Sequence, residues 1–566
     1  MIFYDFEVFL YDWLVVLIDS KGWKKTVIVN DRKTLIAFYE KHKADIWVGY
    51  NSRYYDQFIL KAIICDFDPW EVNEHIIIKD NSGYSFSSML NKVFLINYDV
   101  MPSPPIGLKT LEGFMGNDIK ESDVDFNIRR KLTPEEIEET IKYCTHDVEQ
   151  TIEVFFELID DFNTMLYFVK HFGYPLSYIG KTKAQLSAVM LGGNSTGKEY
   201  DPFDFPILDC IRLEKYRAVM DFYKNPENHN YEKKFDVTVC GVPHRFAWGG
   251  GHGAIKKYHG TGIFLIIDVT AYYPSQQQEY KFGYRVMDNQ ENFEFIHGSN
   301  IKFKRAGDKK ARLPFKIMDN AISGQLKQSI STLYDPASNN AICINGQLLL
   351  LDLVERLEPY CDLIQNNTDG IIIRLRDYSD FEKIDDIVYE WEQRTGMKMD
   401  FDEFRGEIFQ KDVNNYLIVD RETGATKRKG AYVKGLSRLD YDLPIINDAL
   451  VNYMVDGTPV EDTVNQCDDL IKFQKIVVLS SKYEYVKHNG TKYKYKCYRV
   501  FASRDKMDGQ IYKCRTGSNP AKFGNTPEHC FIDNFNVNGK KTPDKLDRGW
   551  YIELAKKRLR QFGVDI

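Results

Sequence analysis

Gly262-Ile-Phe-Leu-Ile-Ile-Asp268-Val-Thr-Ala-Tyr-Tyr273-Pro-Ser275 decides how the chain is read. The unbroken apolar run before Asp268 predicts a strand buried on both faces, and it stops at an acid. A carboxylate there sits at the edge of a sheet, where a metal ion can reach it. A second junction of this kind is Gln365-Asn-Asn-Thr-Asp369-Gly370. It lies between apolar runs and has the shape of a tight hairpin carrying an acid. Between the two, a basic segment is followed by a helical pattern over 321–357, interrupted at Asp335-Pro336.

Working outward, the 566 residues predict three or four domains at roughly 150 residues each. A hydrophobic content of 43% with 28% charged residues excludes a mainly disordered chain, and the length excludes a small binding module. The net charge of −7 argues against a protein coated with nucleic acid over its whole surface. Locally the balance reverses. Residues 301–316 carry seven Lys/Arg and one acid, and residues 481–515 carry ten Lys/Arg, three acids and seven aromatics. A solvated charged face would account for either run alone; cations interleaved with aromatics favour a phosphate backbone beside bases. The ten cysteines form no CxxC pair and no His/Cys cluster, so neither a zinc site nor a disulfide framework is expected. Neither a secretory leader nor an apolar span is expected.

The first 170 residues alternate short apolar strands (2–10, 13–18, 46–50) with helical stretches such as 134–158, an α/β pattern. In Tyr4-Asp5-Phe6-Glu7 the acids stand two apart on a strand and share a face. Two acids on one face repel unless a cation lies between them. Asn51-Ser-Arg-Tyr-Tyr-Asp56 follows a strand, and Tyr143-Cys-Thr-His-Asp147 puts Tyr143 and Asp147 one helical turn apart.

These three motifs, in this order, resemble the DEDDy 3′–5′ exonuclease domain of family B DNA polymerases. The resemblance implies that Asp5, Glu7, Asp56 and Asp147 hold two divalent cations, with Tyr143 orienting the attacking water. Asn51 and Tyr55 then match positions that hold single-stranded primer. Leu108, within Gly107-Leu-Lys-Thr-Leu111, resembles the loop that grips a frayed 3′ end.

The second half resembles the polymerase of the same family. Asp268 to Ser275 matches motif A, D-x4-Y-P-S, which makes Asp268 and the Val269 backbone metal ligands and Tyr273 the residue beneath the incoming sugar. Motif C usually reads D-T-D-S; here it is Asn367-Thr368-Asp369-Gly370, so only the second acid remains. Asp369 is then the partner of Asp268, and Thr368 lies beside the DNA. Motif B, K-x3-N-x2-Y-G, is matched by Lys327, Ser331 and Tyr334, which fall on one face if the segment is a helix. Ser331 and Asp335 replace the usual Asn and Gly. Arg312, with Lys309, Lys310 and Lys316, offers further triphosphate contacts. Trp248-Gly249-Gly250 resembles the Y-G-G type loop that passes the primer between sites. Tyr416 in Asn414-Asn415-Tyr416 stands where K-x-Y holds the primer terminus, with Lys427 or Lys429 as the substitute cation.

The implied fold is multidomain α/β and α+β: an RNase H-like exonuclease domain (1–195), a connecting segment and first palm part (196–285), fingers (286–338), a second palm part (339–440) and a basic thumb (441–566). The gaps of 59 positions from Asp268 to Lys327 and 42 from Lys327 to Asp369 are short beside the protein-primed phage polymerases and their two insertions, so the resemblance implies small fingers and makes terminal-protein priming and built-in strand displacement doubtful. The resemblance to a compact bacteriophage enzyme implies primer–template DNA, deoxynucleoside triphosphates and phage replisome proteins as partners, no membrane, a monomer, the cytoplasm of an infected bacterium, and Mg2+, two ions per active site, with Mn2+ as a substitute. Three readings compete: a proofreading DNA polymerase, a nuclease with a silent palm, and a non-catalytic nucleic-acid-binding factor.

Overall fold

The structure, a computed structural model, describes residues 1–195 and 198–566 and is a mixed α/β arrangement in two compact units. One unit comprises Met1–Thr182, Leu436–Pro444 and Cys467–Tyr551; the other comprises Lys183–Gly435, Ile445–Gln466 and Ile552–Ile566. The border expected after residue 195 falls at Thr196 and Gly197, which lie outside the described residues. Residues 441–566, read from sequence as one thumb, are shared between the units. Among the described residues no helix is long and apolar enough to cross a membrane.

The first unit is built on a five-stranded sheet of order β3-β2-β1-β4-β5, with β1 (Ile2–Val8), β2 (Trp13–Asp19), β3 (Lys24–Val29), β4 (Ile46–Gly49) and β5 (Ile96–Asp99). The strand β1 pairs antiparallel with β2 and parallel with β4. Its central place follows from composition: Ile2, Phe3, Tyr4 and Phe6 are all buried, as a strand covered on both faces requires. The helix Pro134–Glu157 starts at a capping box in which Thr133 and Glu136 satisfy each other's backbone N–H groups, with Pro134 in the first turn.

The second unit centres on a nine-stranded sheet of order β14-β13-β12-β9-β11-β10-β8-β7-β6. Its strands are β6 (Lys234–Val239), β7 (Val242–Ala247), β8 (Gly250–Ala254), β9 (Tyr258–Val269), β10 (Cys361–Asn366), β11 (Gly370–Leu375), β12 (Met399–Asp412), β13 (Asn415–Asp420) and β14 (Thr426–Lys429). Alternation along β9 decides which residues are free for chemistry. Leu265, Ile267 and Val269 join the core that includes Ile344, Leu348 and Leu351 of the buried helix Pro336–Leu357. Phe264 and Ile266 point the other way, into a smaller cluster with Ile372, Ile408, Tyr416 and Ile418. Asp268 continues that second row.

The helical pattern expected over 321–357 resolves differently. One helix ends at Ser323 and the next begins at Pro336, with Asp335 as its N-cap, so the break spans twelve residues rather than one dipeptide. Inside the break, Ser331 N–H bonds Gln328 O at 2.8 Å and Tyr334 N–H bonds Ser331 O at 3.0 Å. The Ser331 hydroxyl accepts from Leu333 N–H at 3.1 Å, a local bond that competes with helix formation.

The remainder of the first unit carries two smaller sheets. One has order β15-β18-β21, from β15 (Lys475–Val478), β18 (Cys497–Ala502) and β21 (Cys530–Ile532); the other has order β17-β16-β19-β20, from β16 (Tyr485–His488), β17 (Thr491–Tyr493), β19 (Tyr512–Cys514) and β20 (Ala521–Lys522). Val486, Val477, Tyr498, Val500 and Ile511 share one core, which joins the two sheets. Arg499, fully buried, donates to the carbonyls of Asn117 at 2.7 Å, Gly113 at 3.2 Å and Phe535 at 2.7 Å. It thereby fastens β18 to the segment around the helix Leu108–Phe114.

Candidate active sites

In the first unit, β1 presents Asp5 and Glu7 from one face, as the two-residue spacing requires. Asp56 opens the helix Asp56–Ile64 and accepts from Phe6 N–H at 3.1 Å, which ties it to β1. Asp147 and Cys144 come from the helix Pro134–Glu157, and the Cys144 thiol donates to Asp5 Oδ2 at 3.5 Å. The four carboxylates read from sequence thus come near enough to repel one another. Glu7, Asp56 and Asp147 are buried, and Asp5 is partly exposed.

The cost of this crowding appears in the proton affinities. Burial, followed by repulsion from Asp56, Glu7 and Asp147, pushes the Asp5 carboxyl well up. Burial and then Asp147 raise Glu7, with Lys109 opposing. Burial pushes Asp56 up to about 7 against the hydrogen bonds that favour its charged form. Among the described residues no basic side chain pairs with Asp5, Glu7 or Asp56. Ligand atoms of Asp5, Glu7 and Cys144 lie within 4.8 Å of one another, as do those of Glu112, His146 and Asp147. The donors are mainly carboxylate oxygens that repel one another, so the group fits a hard divalent cation.

Sequence reading missed Lys109, Glu112, His146 and Cys144. The Lys109 ammonium bridges Asp147 and Glu112, at 3.1 Å from the latter, and lies 4.6 Å from the centre of the Tyr143 ring. The signal was present, since Lys109 and Glu112 stand three apart on a short helix. Leu108 is the first residue of that helix rather than part of a loop, with Gly107 at the N-cap. Asn51 has φ 58° and donates its backbone N–H to Asp99 Oδ1 at 2.9 Å. The Tyr55 hydroxyl donates to Asn73 at 2.8 Å.

In the second unit, β11 pairs with β9 so that Gly370 stands opposite Asp268. Val269 N–H donates to the Asp369 carbonyl at 2.8 Å, and Asn367 N–H closes the hairpin on Gly370 O at 2.8 Å. The two acids therefore come from separate segments to one corner of the sheet. Gly370 is required there: a Cβ on it would lie 2.2 Å from Asp268 Oδ1 and 2.7 Å from Ile267 O. Asn367, the departure from D-T-D-S, is buried and directs its amide at Asp369 Oδ1, 3.4 Å away, so a neutral donor stands where a third acid would repel.

The antiparallel pairing of β13 with β14 puts Lys427 opposite Ile418, on the Asp268 face. Its ammonium lies 3.0 Å from Asp268 Oδ2 and 2.9 Å from Asp402 Oδ2. Burial raises Asp268, and Lys427 is the largest opposing influence. Burial pushes the Tyr416 phenol up to about 12, and Lys427, Asp268 and Asp369 are all near enough to shift it. Lys429, opposite Tyr416, is near enough to lower Asp268. Sequence reading missed Asp400 and Asp402, which alternate along β12; Asp400 stands opposite Asp268 and accepts from Thr270 Oγ1 at 2.6 Å and from Lys304.

The nucleotide-site candidates are placed unevenly. Tyr273, half-buried, hydrogen-bonds Cys343, whose thiol Lys327 is near enough to lower. Lys327, Ser331 and Tyr334 lie in the turns after Ser323, so they do not form a helical face. Asp335 accepts both arms of Arg285, at 2.7 and 2.6 Å, and caps the helix it precedes, which gives this substitution a structural role. Arg312 donates to Asn300 Oδ1 at 2.9 Å. Thr368 donates to Asn367 Oδ1 at 3.3 Å. The Trp248 side chain is buried among Phe203, Tyr223 and Tyr231 and donates to Asn228 O, so its ring is core; Gly249 beside it is exposed and Gly250 buried.

No protein-family model matches the chain, and no curated protein matches it. Among solved structures it is similar to the family B DNA polymerase from the hyperthermophilic archaeon Pyrobaculum calidifontis. The identity is 14% and the TM-score 0.41, over 98% of this chain and 75% of that one.

Proposed function

We propose that the chain is a DNA-directed DNA polymerase of the family B type with a DEDDy 3′–5′ exonuclease, a proofreading enzyme of the compact bacteriophage kind. The observation that carries the reading is the meeting of Asp268 and Asp369 at one sheet corner in the second unit, while four acids near enough to repel one another stand in the first. The sequence order of all six matches the family's motifs, and a sheet whose central acid-bearing strand has antiparallel and parallel neighbours supports an RNase H-like first unit.

For synthesis, Asp268, Asp369 and the Val269 carbonyl would hold magnesium, which when bound supplies activation of the primer 3′-hydroxyl and neutralises phosphate charge. Lys427 fixes the direction of the Asp268 carboxylate, and the Asn367 amide does the same for Asp369. Tyr273 lies under the incoming sugar and excludes a 2′-hydroxyl. Lys327 supplies positive charge to the departing pyrophosphate. For cleavage, Asp5, Glu7, Asp56 and Asp147 form the second oxygen cage. Tyr143 orients the water, with its ring held by the Lys109 ammonium.

The substrates are primer–template DNA and deoxynucleoside triphosphates, and the setting is replication of a phage genome in a bacterial cytoplasm. Incubation of a 5′-labelled primer–template with magnesium tests this. Extension with deoxynucleotides and shortening without them is the expected pair of results; shortening alone would leave a nuclease, and neither would leave a binding factor.

A further inference from the structure

The basic, tyrosine-rich segment 481–515 and the short strand after it fold into the first unit, and their cations are ordered in a way that sequence does not show. In the four-stranded sheet, Lys492 of β17 stands opposite Lys487 of β16, Lys487 stands opposite Tyr512 of β19, and Tyr512 stands opposite Lys522 of β20. Directly opposed residues share a face, so three lysines and a tyrosine form one row across all four strands. Tyr485, two residues before Lys487, stands on the same face, with the Lys492 ammonium 4.7 Å from its ring centre. The opposite face is closed, because Val486 and His488 are buried.

Like charges directly opposed across two strands destabilise a sheet. Lys487, Lys492 and Lys522 are all exposed, and among the described residues none has an ion-pair partner. Strands about 4.8 Å apart set Lys487 and Lys492 one spacing apart and Lys522 two further on. That ladder of cations with aromatic rings between them suits a flexible single strand, whose phosphates meet the ammonium groups while bases stack on Tyr485 and Tyr512.

The attachment of the neighbouring three-stranded sheet, which shares a core with this one, decides which chemistry the row serves. Arg499 of β18 ties the C-terminal sheets to Gly113 and Asn117, and Lys496 and Cys497 donate backbone N–H groups to Glu121 at 2.5 and 3.0 Å. Gly113 lies on the helix that also carries Lys109 and Glu112 of the carboxylate cluster. We infer that the face formed by Lys487, Lys492, Lys522, Tyr485 and Tyr512 binds single-stranded nucleic acid and serves the cleavage site of the first unit rather than synthesis. This rests on the proposed exonuclease reading for the site served, but not for the binding itself.

The test uses the full chain and a labelled single-stranded DNA oligonucleotide. Affinity is measured against salt in EDTA, then magnesium-dependent shortening and primer extension are measured on the same preparations. In the triple variant Lys487→Glu, Lys492→Glu, Lys522→Glu, loss of three phosphate contacts should reduce the log–log salt slope by about 2, at about 0.7 per contact for a single strand. The corresponding triple Lys→Arg variant should keep the wild-type slope. Shortening should fall at least tenfold at moderate salt while extension changes less than twofold. An unchanged slope overturns the surface, and equal loss of extension and shortening overturns its assignment to cleavage. A reduced slope in a protein that performs neither reaction would keep the surface and remove the exonuclease reading.

Discussion

Gly370→Ala is the smallest change that should separate synthesis from cleavage. The added methyl would lie 2.2 Å from Asp268 Oδ1, 2.7 Å from Ile267 O and 2.9 Å from Asp268 Cα. Two of those three neighbours are backbone of the central strand β9, which is paired on both sides and cannot retreat alone. Relief to an ordinary contact of roughly 3.5 Å therefore requires a shift of about 1 Å or more, shared between β11 and the Asp268 side chain. Misplacement of a catalytic group by about 1 Å costs on the order of 100-fold, equivalent to about 2.7 kcal/mol of barrier. Overpacking adds about 1–3 kcal/mol of lost stability in the second unit. Single-turnover extension of a primer–template should thus fall about 100-fold, while shortening of a single strand stays within about twofold of wild type. Gly370→Ser, which moves the turn toward the commoner family motif, should be at least as harmful. Wild-type extension by Gly370→Ala would refute the claim that the Asp268–Gly370 register builds the synthetic site.

Three further outcomes follow from named contacts. Lys427→Met leaves Asp268 and Asp402 facing each other without their shared ammonium, so extension should fall at least about tenfold and be partly restored in Lys427→Arg, with shortening unchanged in the gel assay. Asn367→Asp replaces a buried amide donor by a buried acid beside Asp369; thermal unfolding should show about 1–3 kcal/mol of lost stability, with slower extension at neutral pH. Lys61 is buried beside Phe58, and burial lowers its pKa from the ordinary 10.5 to about 8. The unfolded chain binds the proton more tightly, so folding carries a penalty of about 3 kcal/mol below pH 8 that is relieved as pH rises toward 10.5. Lys61→Met should therefore raise the melting temperature at pH 7, and the gain should shrink by pH 10; a constant gain would contradict the assigned cause.

What was legible in the sequence was whatever depends on local pattern. The strand of Asp5 and Glu7, the helix of Tyr143 and Asp147, and the hairpin of Asp369 each follow from period, cap or turn chemistry, and each forms near the expected position. Lys327, Ser331 and Tyr334 were misplaced because helical spacing was extended through a segment whose Ser331 side chain bonds its own backbone and whose Asp335 starts a new helix. Lys427 could be named only as one of two cations, since the register of β13 against β14 selects it. The Lys109–Asp147 contact and the Arg499 tie depend on packing between segments distant in the chain, for which no local pattern exists, although the Lys109–Glu112 spacing was legible.

The central claim is that two separate carboxylate sites on this chain run two opposed reactions on one primer end. Single-turnover kinetics of a 5′-labelled primer–template, in parallel for Asp268→Ala and Asp5→Ala, test it most directly. The account predicts that Asp268→Ala abolishes extension and still shortens the primer, while Asp5→Ala extends it and no longer shortens it. Retention of extension by Asp268→Ala, or loss of both reactions in either folded variant, would contradict it.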